Sequence, residues 1–459
     1  MSTKIEASNE IVINYLKKLW YKEPNLEIKE EEKVEIEIPQ ENPNVEQFKE
    51  KVKSNLMALR DVGFRVYHNI TLEKEVNLQP KTVTDDDILK VHEYKVGNYF
   101  TRKQLMTNIA KCTVFPKYKS GLLTEPSNFR YLVNHHNTIK ILDRLWVLET
   151  MEKIGDNIPD PNIYKSNLVK NFSDNIINTA IENTLSLDSI ILLDIKRAFD
   201  SLEWEILEEL LLANLTRKTN ADIAKELVSQ YMVILKNREL YYNNILINIS
   251  KGIPTGLPSS NLVFTLAFEE IIFRWMNTNG YKNNREFILN VYVDDIFIKM
   301  INLLKTNKVV SSLIDFLAVY KLFVNMEKSK ASYNLITYNN LDDMYHDITT
   351  ELKETDYYLG IPFTRNKKLY GELILKEFQT KKFNMNWNTI YNKLTSDNDE
   401  TTSVIFGFMN YKLKPLMNNP NIPNNKELVS KFIKDTYIKK GAVDYIGDLF
   451  RSIGSFFKL

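Results

Sequence analysis

Two adjacent acidic residues lie between two short apolar segments in the second half of the chain. The segment ILNVYVDDIFIKM, residues 288–300, places Asp294 and Asp295 between runs of apolar side chains. This pattern predicts two β-strands joined by a tight turn that carries both carboxylates. Burying an acidic pair among apolar residues is costly unless an opposite charge compensates it. The pair is therefore predicted to bind hard divalent cations, which prefer oxygen ligands.

A third acidic residue has a similar setting further upstream. The segment SIILLDIKRAFDSLEWEIL, residues 189–207, predicts a buried strand that ends at Asp194 and is followed by helical spacing. An acid at the end of a strand directs its carboxylate towards a cleft, so Asp194 is a third candidate metal ligand. Asp200 is instead predicted to be a helix N-cap, with Glu203 completing a capping box.

A turn-rich loop lies between the two acidic segments. In KGIPTGLPSSNLVFTLAFEEI, residues 251–271, glycine, proline and serine alternate with other residues at Gly252, Pro254, Gly256, Pro258 and Ser260. Glycine and proline at this spacing predict a loop whose backbone can approach a ligand closely. The apolar run over residues 262–272 predicts a helix that packs against the sheet.

The order and spacing of these three segments resemble motifs A, B and C of reverse transcriptases. Motif B of that family is usually Gly-x-Pro-Gln-Gly-x-Pro-x-Ser, and Thr255 stands here in place of the glutamine. Residues 115–146 resemble the fingers segment of non-LTR retroelement enzymes, residues 324–332 resemble motif D, and residues 357–363 resemble motif E, the primer grip. The resemblance covers about residues 95–365. The short sequences AFDSLEW and YLGIPF are most similar to those of LINE-like enzymes.

The resemblance assigns roles residue by residue. Catalysis and the binding of two metal ions, Mg²⁺ with Mn²⁺ as an alternative, are assigned to Asp194, Asp294 and Asp295. Nucleotide binding is assigned to Lys117, Lys119, Arg130, Ile195, Arg197, Phe199, Gly256 and Lys328. Contacts with template and primer are assigned to Pro254, Thr255, Gly256, Pro258, Ser260, Tyr292, Leu359 and Gly360.

One of these positions bears on the choice of sugar. Phe199 stands where reverse transcriptases carry a bulky aromatic residue, which clashes with a ribose 2′-hydroxyl. RNA-directed RNA polymerases resemble this part of the chain but carry an acid at that position, which accepts a hydrogen bond from the hydroxyl. Deoxynucleotides are therefore the expected substrates, and the expected partners are an RNA or DNA template and a primer 3′ end.

The resemblance also implies the architecture, an α+β right-hand polymerase fold with fingers, palm and thumb and an antiparallel palm sheet. The predicted domains are an acidic, mainly helical N-terminal extension (1–94), a fingers and palm domain (95–355), and a primer grip with a helical thumb-like region (356–459). Periodicity predicts helices over residues 13–20 and 48–59, with a linker or a short edge strand at 34–38 between them.

An apolar stripe near the end of the chain predicts a further helix. Residues 446–457 have helical periodicity with their apolar side chains on one face. That face would pack on its own domain or contact a protein or membrane.

The amino-acid composition excludes several kinds of site and several classes of protein. A single cysteine, Cys112, excludes an internal disulfide and a cysteine-based zinc site. The chain has no apolar run long enough to span a membrane and no secretion signal, so an intracellular protein is expected.

The net charge of +1 hides a basic block, because residues 95–144 contain nine Lys or Arg and two acidic residues. His135 and His136 are predicted to be structural.

Three other functions remain open from the sequence. A viral RNA-directed RNA polymerase would share the palm motifs, but Phe199 and the Tyr-Val-Asp-Asp turn oppose it. A defence-type polymerase of this fold would make DNA without a template. A non-catalytic palm could serve as an RNA-binding scaffold, although such a relic is expected to lose the metal-binding acids that this chain retains. The sequence does not indicate an oligomeric state.

Overall fold

The computed structural model describes residues 9–21, 89–91, 93–94, 105, 109–118, 122, 124–155, 189–283, 285–332, 335, 348, 350–358 and 361–363. Helices and strands alternate within these ranges, as expected for an α+β fold. In chain order they are α1 (Asn9–Trp20), β1 (Lys111–Tyr118), β2 (Phe129–Asn134), α2 (Asn137–Ile154), β3 (Ile190–Asp194), α3 (Ala198–Ser201), α4 (Trp204–Lys218), α5 (Ala221–Lys236), β4 (Glu239–Tyr242), β5 (Ile245–Ile247), α6 (Ser259–Asn279), β6 (Phe287–Tyr292), β7 (Asp295–Met300), α7 (Thr306–Val319), β8 (Lys330–Ala331), β9 (Tyr357–Tyr358) and β10 (Ile361–Pro362).

The central sheet contains four strands in the order β6-β7-β3-β8, and every pairing in it is antiparallel. Alternate side chains of a strand point to opposite faces of a sheet. Ile191 and Ile298 join the large core that includes the helices, whereas Ile190 and Phe297 pack with Tyr358 of β9 on the other face. The central strands are apolar because both of their faces are covered.

Helix α6 lies in the middle of the large core. It covers the predicted range of residues 262–272, begins earlier at Ser259, and ends at Asn279, before Gly280 with its φ of +66°. Apolar side chains are buried on every side of its first three turns, so the helix lacks an exposed polar stripe. Its buried Glu269 and Glu270 pair with Lys218 and Arg217 of α4. Helix α6 is therefore the support on which the central sheet and α4 both pack.

The second sheet contains β2, β1, β4 and β5 in that order. Helix α1 covers one of its faces and buries five side chains there, namely Val12, Ile13, Leu16, Leu19 and Trp20. The helix predicted over residues 13–20 is therefore confirmed. Although α1 belongs to the predicted N-terminal extension, its apolar face is part of the core of the second sheet.

The capping prediction for Asp200 is wrong. Helix α4 begins after Glu203, whose side chain makes no capping bond, and Asp200 lies inside the short helix α3. The chain is extended between α3 and α4 because Leu202 O accepts a hydrogen bond from Gly252 N and Glu203 pairs with Lys251. Asp200 has a structural contact instead, since its Oδ1 accepts a hydrogen bond from Trp20 Nε1.

Several predictions lie outside the described residues. They are the edge strand at 34–38, the helix over 48–59, the amphipathic helix over 446–457, and the thumb-like region beyond residue 363. The domain boundaries at 94/95 and 355/356 stay predictions. Within the described residues, no helix has both the length and the apolar run needed to cross a membrane.

Candidate active site

The turn between β6 and β7 carries the acidic pair. Tyr292 and Asp295 are Cα partners across the hairpin, so Val293 and Asp294 form its two-residue loop. Val293 has φ +58°, a conformation that is unusual for a β-branched residue and costs about 1–3 kcal/mol. Burial of the Val293 side chain in the large core offsets that cost. The predicted hairpin is confirmed, with Asp294 in its loop and Asp295 at the start of β7.

Asp194 lies at the same end of the central sheet. It is the last residue of β3, and in the register of β3 with β7 its Cα is directly opposite that of Asp295. The three acids come from two remote segments of the sequence, and the pairing of β3 with β7 brings them together.

Asp194 is held by two residues that the sequence analysis did not single out. The backbone N–H of Asn325 donates to Asp194 O at 2.7 Å, and Asn325 Nδ2 donates to Asp194 Oδ2 at 3.2 Å. The backbone N–H of Asp194 donates to Ser329 Oγ at 3.2 Å. Both residues flank Lys328 in the segment that resembles motif D, and that closeness is the signal that would have drawn attention to them.

Two of the carboxyl groups have raised pKa values. Asp295 is exposed at the end of the sheet, but protein fills most of the space around its carboxyl group. This desolvation, with the charges of Asp294 and Asp194, raises its pKa to about 7. Desolvation and the Asp194 charge also raise the pKa of Asp294, while its own backbone amide, Arg130 and Lys328 act in the opposite direction. Binding of a cation would relieve this repulsion between carboxylates.

The donor set fits a divalent cation that also binds substrate. Among the described residues, no three carboxylate, imidazole or thiol groups are arranged as a ready-made metal cage. Mg²⁺ needs only one or two protein carboxylates, because phosphates and waters complete its coordination. The oxygens of Asp194, Asp294 and Asp295 suit this chemistry, since their carboxyl groups interact electrostatically at one end of the sheet.

Cationic side chains lie beside the acids. Lys328 Nζ is 3.8 Å from Asp194 Oδ2, and its side chain is largely exposed. Arg130 of β2 is close enough to lower the pKa of Asp294. Lys117 of β1 is the cross-strand Cα partner of Arg130, and both are exposed. Lys119 lies outside the described residues.

The segment after Asp194 presents two of the three residues predicted to bind the nucleotide. Ile195 is 2% exposed and pairs with Val324, so it can offer a ligand little beyond its backbone. Arg197 is exposed and has the left-handed φ of +49°. Phe199 is half-buried and stacks on Phe264, with ring centroids 4.9 Å apart.

The predicted turn-rich loop packs directly on this segment. Gly252 has φ +89°, and a Cβ added to it would lie 3.4 Å from Phe199 O and from Asp200 Cα. The next residue is bonded to the same carbonyl, because Ile253 N donates to Phe199 O at 2.7 Å. Glycine at position 252 therefore permits the close approach of the two segments.

The remaining residues of the loop differ in their accessibility. Thr255 is half-buried, whereas Gly256, with φ +100°, and Pro258 are exposed. Pro254 and Ser260 are buried, and Ser260 Oγ donates a hydrogen bond to Pro254 O. The loop thus offers residues 255, 256 and 258 to a ligand, while Pro254 and Ser260 shape it from inside.

Residues 116–363 match the sequence model of the family described as reverse transcriptase (RNA-dependent DNA polymerase). The chain belongs to the reverse transcriptase family. The match covers more than half of the chain and includes all three acids, the loop and β10. Together with the mixed helices and antiparallel central sheet, it supports the predicted right-hand polymerase fold in outline. The non-LTR subgroup stays a prediction.

A solved structure also resembles the chain. It is described as apo telomerase from Candida tropicalis truncated from the C-terminal domain, and the two chains are 14% identical with a TM-score of 0.35. The similarity covers 48% of this chain and 50% of the telomerase chain, so it spans half the length of that protein. A search of curated proteins finds no match.

A buried acid to which the resemblance assigned no role supports the loop of the reverse transcriptase domain. Asp143 of α2 accepts hydrogen bonds from Ser259 N, at 2.8 Å, and from Ser259 Oγ. Burial raises the pKa of Asp143 to about 6, against the opposing effect of the Ser259 hydrogen bonds. Asp143 therefore fixes the first turn of α6. Nothing local in the sequence marks this role, since the two residues are 116 positions apart.

The two histidines have structural roles, as predicted. The His136 side chain accepts a hydrogen bond from Thr138 N and caps α2. His135 is buried, and desolvation together with the nearby charges of Arg238 and Lys140 lowers its pKa to about 3.

The remaining predicted site residues are those expected to contact the primer. Tyr292 is half-buried next to the acidic pair, and burial and the charges of Asp295 and Asp294 raise its pKa. Strands β9 and β10 pair as a short antiparallel hairpin behind β7, where Tyr358 packs on Phe297. Leu359 and Gly360 lie outside the described residues.

Proposed function

We propose that this chain is a template-directed, RNA-directed DNA polymerase that uses two divalent metal ions. The observation that carries the proposal is the convergence of Asp194, Asp294 and Asp295 at one end of the central sheet. Family membership supports the class of reaction. In this proposal the central sheet is the palm, the second sheet belongs to the fingers, and the chain beyond residue 363 supplies the thumb.

The three aspartates are proposed to hold the metal ions, with Mg²⁺ as the expected ion. When bound, the metal ions would activate the primer 3′-hydroxyl and stabilise the pyrophosphate leaving group. Neighbouring residues of the chain orient the carboxylate of Asp194. Among the described residues, Asn325 and Lys328 both contact Oδ2 of Asp194, and Oδ1 of that carboxylate is proposed to bind a metal ion.

The proposed triphosphate site is the group of cations around the acids. Lys328 lies beside Asp194, and Arg130 is close enough to Asp294 to lower the pKa of its carboxyl group. Lys117 extends this positive surface along β1, because it is paired with Arg130. Fixed positive charges at these positions would bind the phosphates and stabilise the negative charge on the transferring phosphoryl oxygens. Lys119 is proposed to join them.

Sugar selection is proposed to depend on Phe199. Its ring is fixed by stacking on Phe264 and by the packing of the loop on its backbone carbonyl. The side chain has no hydrogen-bond acceptor for a ribose 2′-hydroxyl, and its bulk is expected to exclude that group. Arg197 and the backbone of Ile195 are proposed to contact the same nucleotide. Deoxynucleotides are therefore the proposed substrates.

Template and primer are proposed to lie along the loop and the acidic hairpin. Thr255, Gly256 and Pro258 are the accessible residues of the loop, and exposed Gly256 allows a base or backbone to approach closely. Tyr292 lies beside the acids, where a primer 3′ end has to lie for transfer. Leu359 and Gly360 are proposed to contact the primer. The roles of Pro254 and Ser260 would be indirect, through the shape of the loop.

The experiment that tests the function is primer extension with the purified full chain. RNA and DNA templates are each combined with dNTPs or rNTPs, with and without Mg²⁺, and with a reaction that lacks template. Extension on an RNA template with dNTPs that requires Mg²⁺ is the expected result. An Asp294→Asn variant, with its fold checked by circular dichroism, provides the catalytic control.

Each other outcome of this experiment points to a different function. Extension only with rNTPs would indicate an RNA-directed RNA polymerase. Products whose sequence is independent of any added template would indicate a template-independent enzyme. RNA binding without incorporation under any of these conditions would indicate a non-catalytic scaffold, and would overturn the proposal.

A further inference from the structure

Trp20 of α1 joins two segments of the candidate active site. Its side chain reaches the segment after Asp194, since Trp20 Nε1 donates to Asp200 Oδ1 at 2.8 Å. Its carbonyl oxygen accepts hydrogen bonds from the backbone N–H groups of Ser250, at 2.8 Å, and Lys251, at 3.2 Å. One residue outside the family match at 116–363 therefore holds both the α3 segment and the start of the loop.

The two segments touch each other at the point where Trp20 holds them. Gly252 N donates to Leu202 O at 2.7 Å, next to the bond between Ile253 N and Phe199 O. A Cβ on Gly252 would lie 3.4 Å from Trp20 Cδ1. The indole therefore packs against Gly252 on the same side as the backbone of Phe199 and Asp200. The position of Phe199 relative to the loop depends on this contact.

A second residue of α1 contacts Arg197. The guanidinium carbon of Arg197 lies 5.0 Å from the centroid of the Tyr15 ring, a distance typical of a cation–π contact. Tyr15 is itself supported by Tyr131 of β2, with ring centroids 5.6 Å apart. The left-handed φ of Arg197 is unfavourable for a residue with a side chain. Contact with Tyr15 favours this conformation and directs the guanidinium group.

Helix α1 is anchored firmly enough to act in this way. Val12 and Leu16 are fully buried in the core of the second sheet, with Val114 and Phe129 among their neighbours. Tyr15 and Trp20 therefore belong to an element that is fixed on the second sheet. Their contacts link that sheet to the segment that carries Arg197 and Phe199.

We propose that α1 is a positioning element for nucleotide selection, in which Trp20 sets the position of Phe199 and Tyr15 that of Arg197. Neither residue is proposed to touch the reacting atoms. The inference rests on the proposed polymerase function, because Phe199 and Arg197 act on the nucleotide only if the chain incorporates one.

The test is a Trp20→Phe substitution in the full chain, which removes the bond to Asp200 but keeps an aromatic ring. Loss of a hydrogen bond to a charged group is expected to raise the KM for dNTPs about tenfold. The ratio of dNTP to rNTP incorporation should fall, because Phe199 is no longer held in place. The value of kcat should change by less than about twofold, because the acids lie on strands of the central sheet.

Trp146→Phe is the matched control. Trp146 Nε1 donates to the backbone oxygen of Leu227 at 2.8 Å, so the same atoms are lost from a buried bond between α2 and α5. This variant should lose thermal stability but keep the wild-type KM and sugar selectivity. Equal changes of KM in the two variants would show a general effect of destabilisation and overturn the proposal.

Substitutions of Asp200 test the same bond from its other side. Asp200→Asn keeps an oxygen acceptor and should retain a KM near that of wild type, whereas Asp200→Ala should reproduce the effect of Trp20→Phe. The double variant Trp20→Phe/Asp200→Ala should be no worse than either single variant. Fully additive effects would overturn the proposal. If Trp20→Phe does not fold, Asp200→Ala alone provides the measurement.

The outcomes separate this inference from the proposed function. A wild-type chain that extends no primer counts against the function, and the inference falls with it. An active wild-type chain whose Trp20→Phe variant keeps its KM and sugar selectivity counts against the inference alone.

Discussion

Asp194 and Asp295 lie directly opposite each other on neighbouring antiparallel strands. The apolar residues that precede Asp194 in β3 and follow Asp295 in β7 fix this register, because they fill the two covered faces of the sheet. A slip of one residue would turn every side chain of the strand to the opposite face. The position of the acids is thus a consequence of core packing.

Neutralising Asp295 should remove activity without weakening the fold. Asp295→Asn removes a carboxylate that desolvation and two neighbouring acids keep at a raised pKa. Primer extension should fall by at least about a hundredfold, because a charged ligand in the phosphoryl-transfer site is lost. The melting temperature measured without metal should hold or rise, since a repulsive charge has been removed. A stable variant with wild-type extension would exclude Asp295 as a metal ligand.

The metal requirement should depend on pH. A proton and a metal ion compete for Asp295, whose pKa is raised to about 7. The Mg²⁺ concentration for half-maximal extension should therefore rise as the pH falls from 8 to 6. An Mg²⁺ requirement that stays constant over this range would contradict the raised pKa.

The same pKa shift predicts how stability changes with pH in the absence of metal. The folded-state pKa lies above the usual aspartate value, so the fold favours the protonated carboxyl group. The contribution of Asp295 is fully favourable below the unfolded pKa and is lost as the pH rises through about 7. Thermal melts should show that Mg²⁺ stabilises the chain more at pH 8 than at pH 6. Asp295→Asn, which cannot titrate, is the control and should show a smaller difference.

Shortening Phe199 should relax the choice of sugar. Phe199→Val leaves space where the ring stands and should lower the ratio of dNTP to rNTP incorporation about 10–100-fold, the range for a steric pocket. The measurement is single-nucleotide extension with matched dNTP and rNTP. Phe316→Val is the control, because it removes the same atoms from a ring of α7 that packs on Tyr320. A ratio that Phe199→Val leaves unchanged would argue against the gate.

Removing the amide of Asn325 should reduce turnover. Asn325→Ala deletes the donor to Asp194 Oδ2 but keeps the backbone bond to Asp194 O. Loss of such an orienting bond to a metal ligand is expected to lower activity about 10–100-fold. Asn279→Ala, which removes an amide bonded to Trp275 O at the end of α6, is the control. Equal activity in both variants would show that Asn325 does not orient Asp194.

The sequence by itself determined the acids, the strands that carry them and the family. Apolar segments on each side of Asp294 and Asp295 were enough to predict the hairpin, and the strand ending at Asp194 follows from an uninterrupted apolar run. Helix α1 and the core of α6 were also predictable. These features are local, because backbone geometry gives strands and helices characteristic spacings of apolar residues.

Only the tertiary structure decided which remote side chains support the site. Trp20 and Asp200 are 180 positions apart, Asn325 and Asp194 are 131 apart, and Asp143 reaches Ser259 across 116. The capping prediction for Asp200 failed for the same reason, since the backbone beside it pairs with the segment around Gly252. A hydrogen bond between remote residues depends on how whole elements pack, and no local spacing in the sequence encodes that packing.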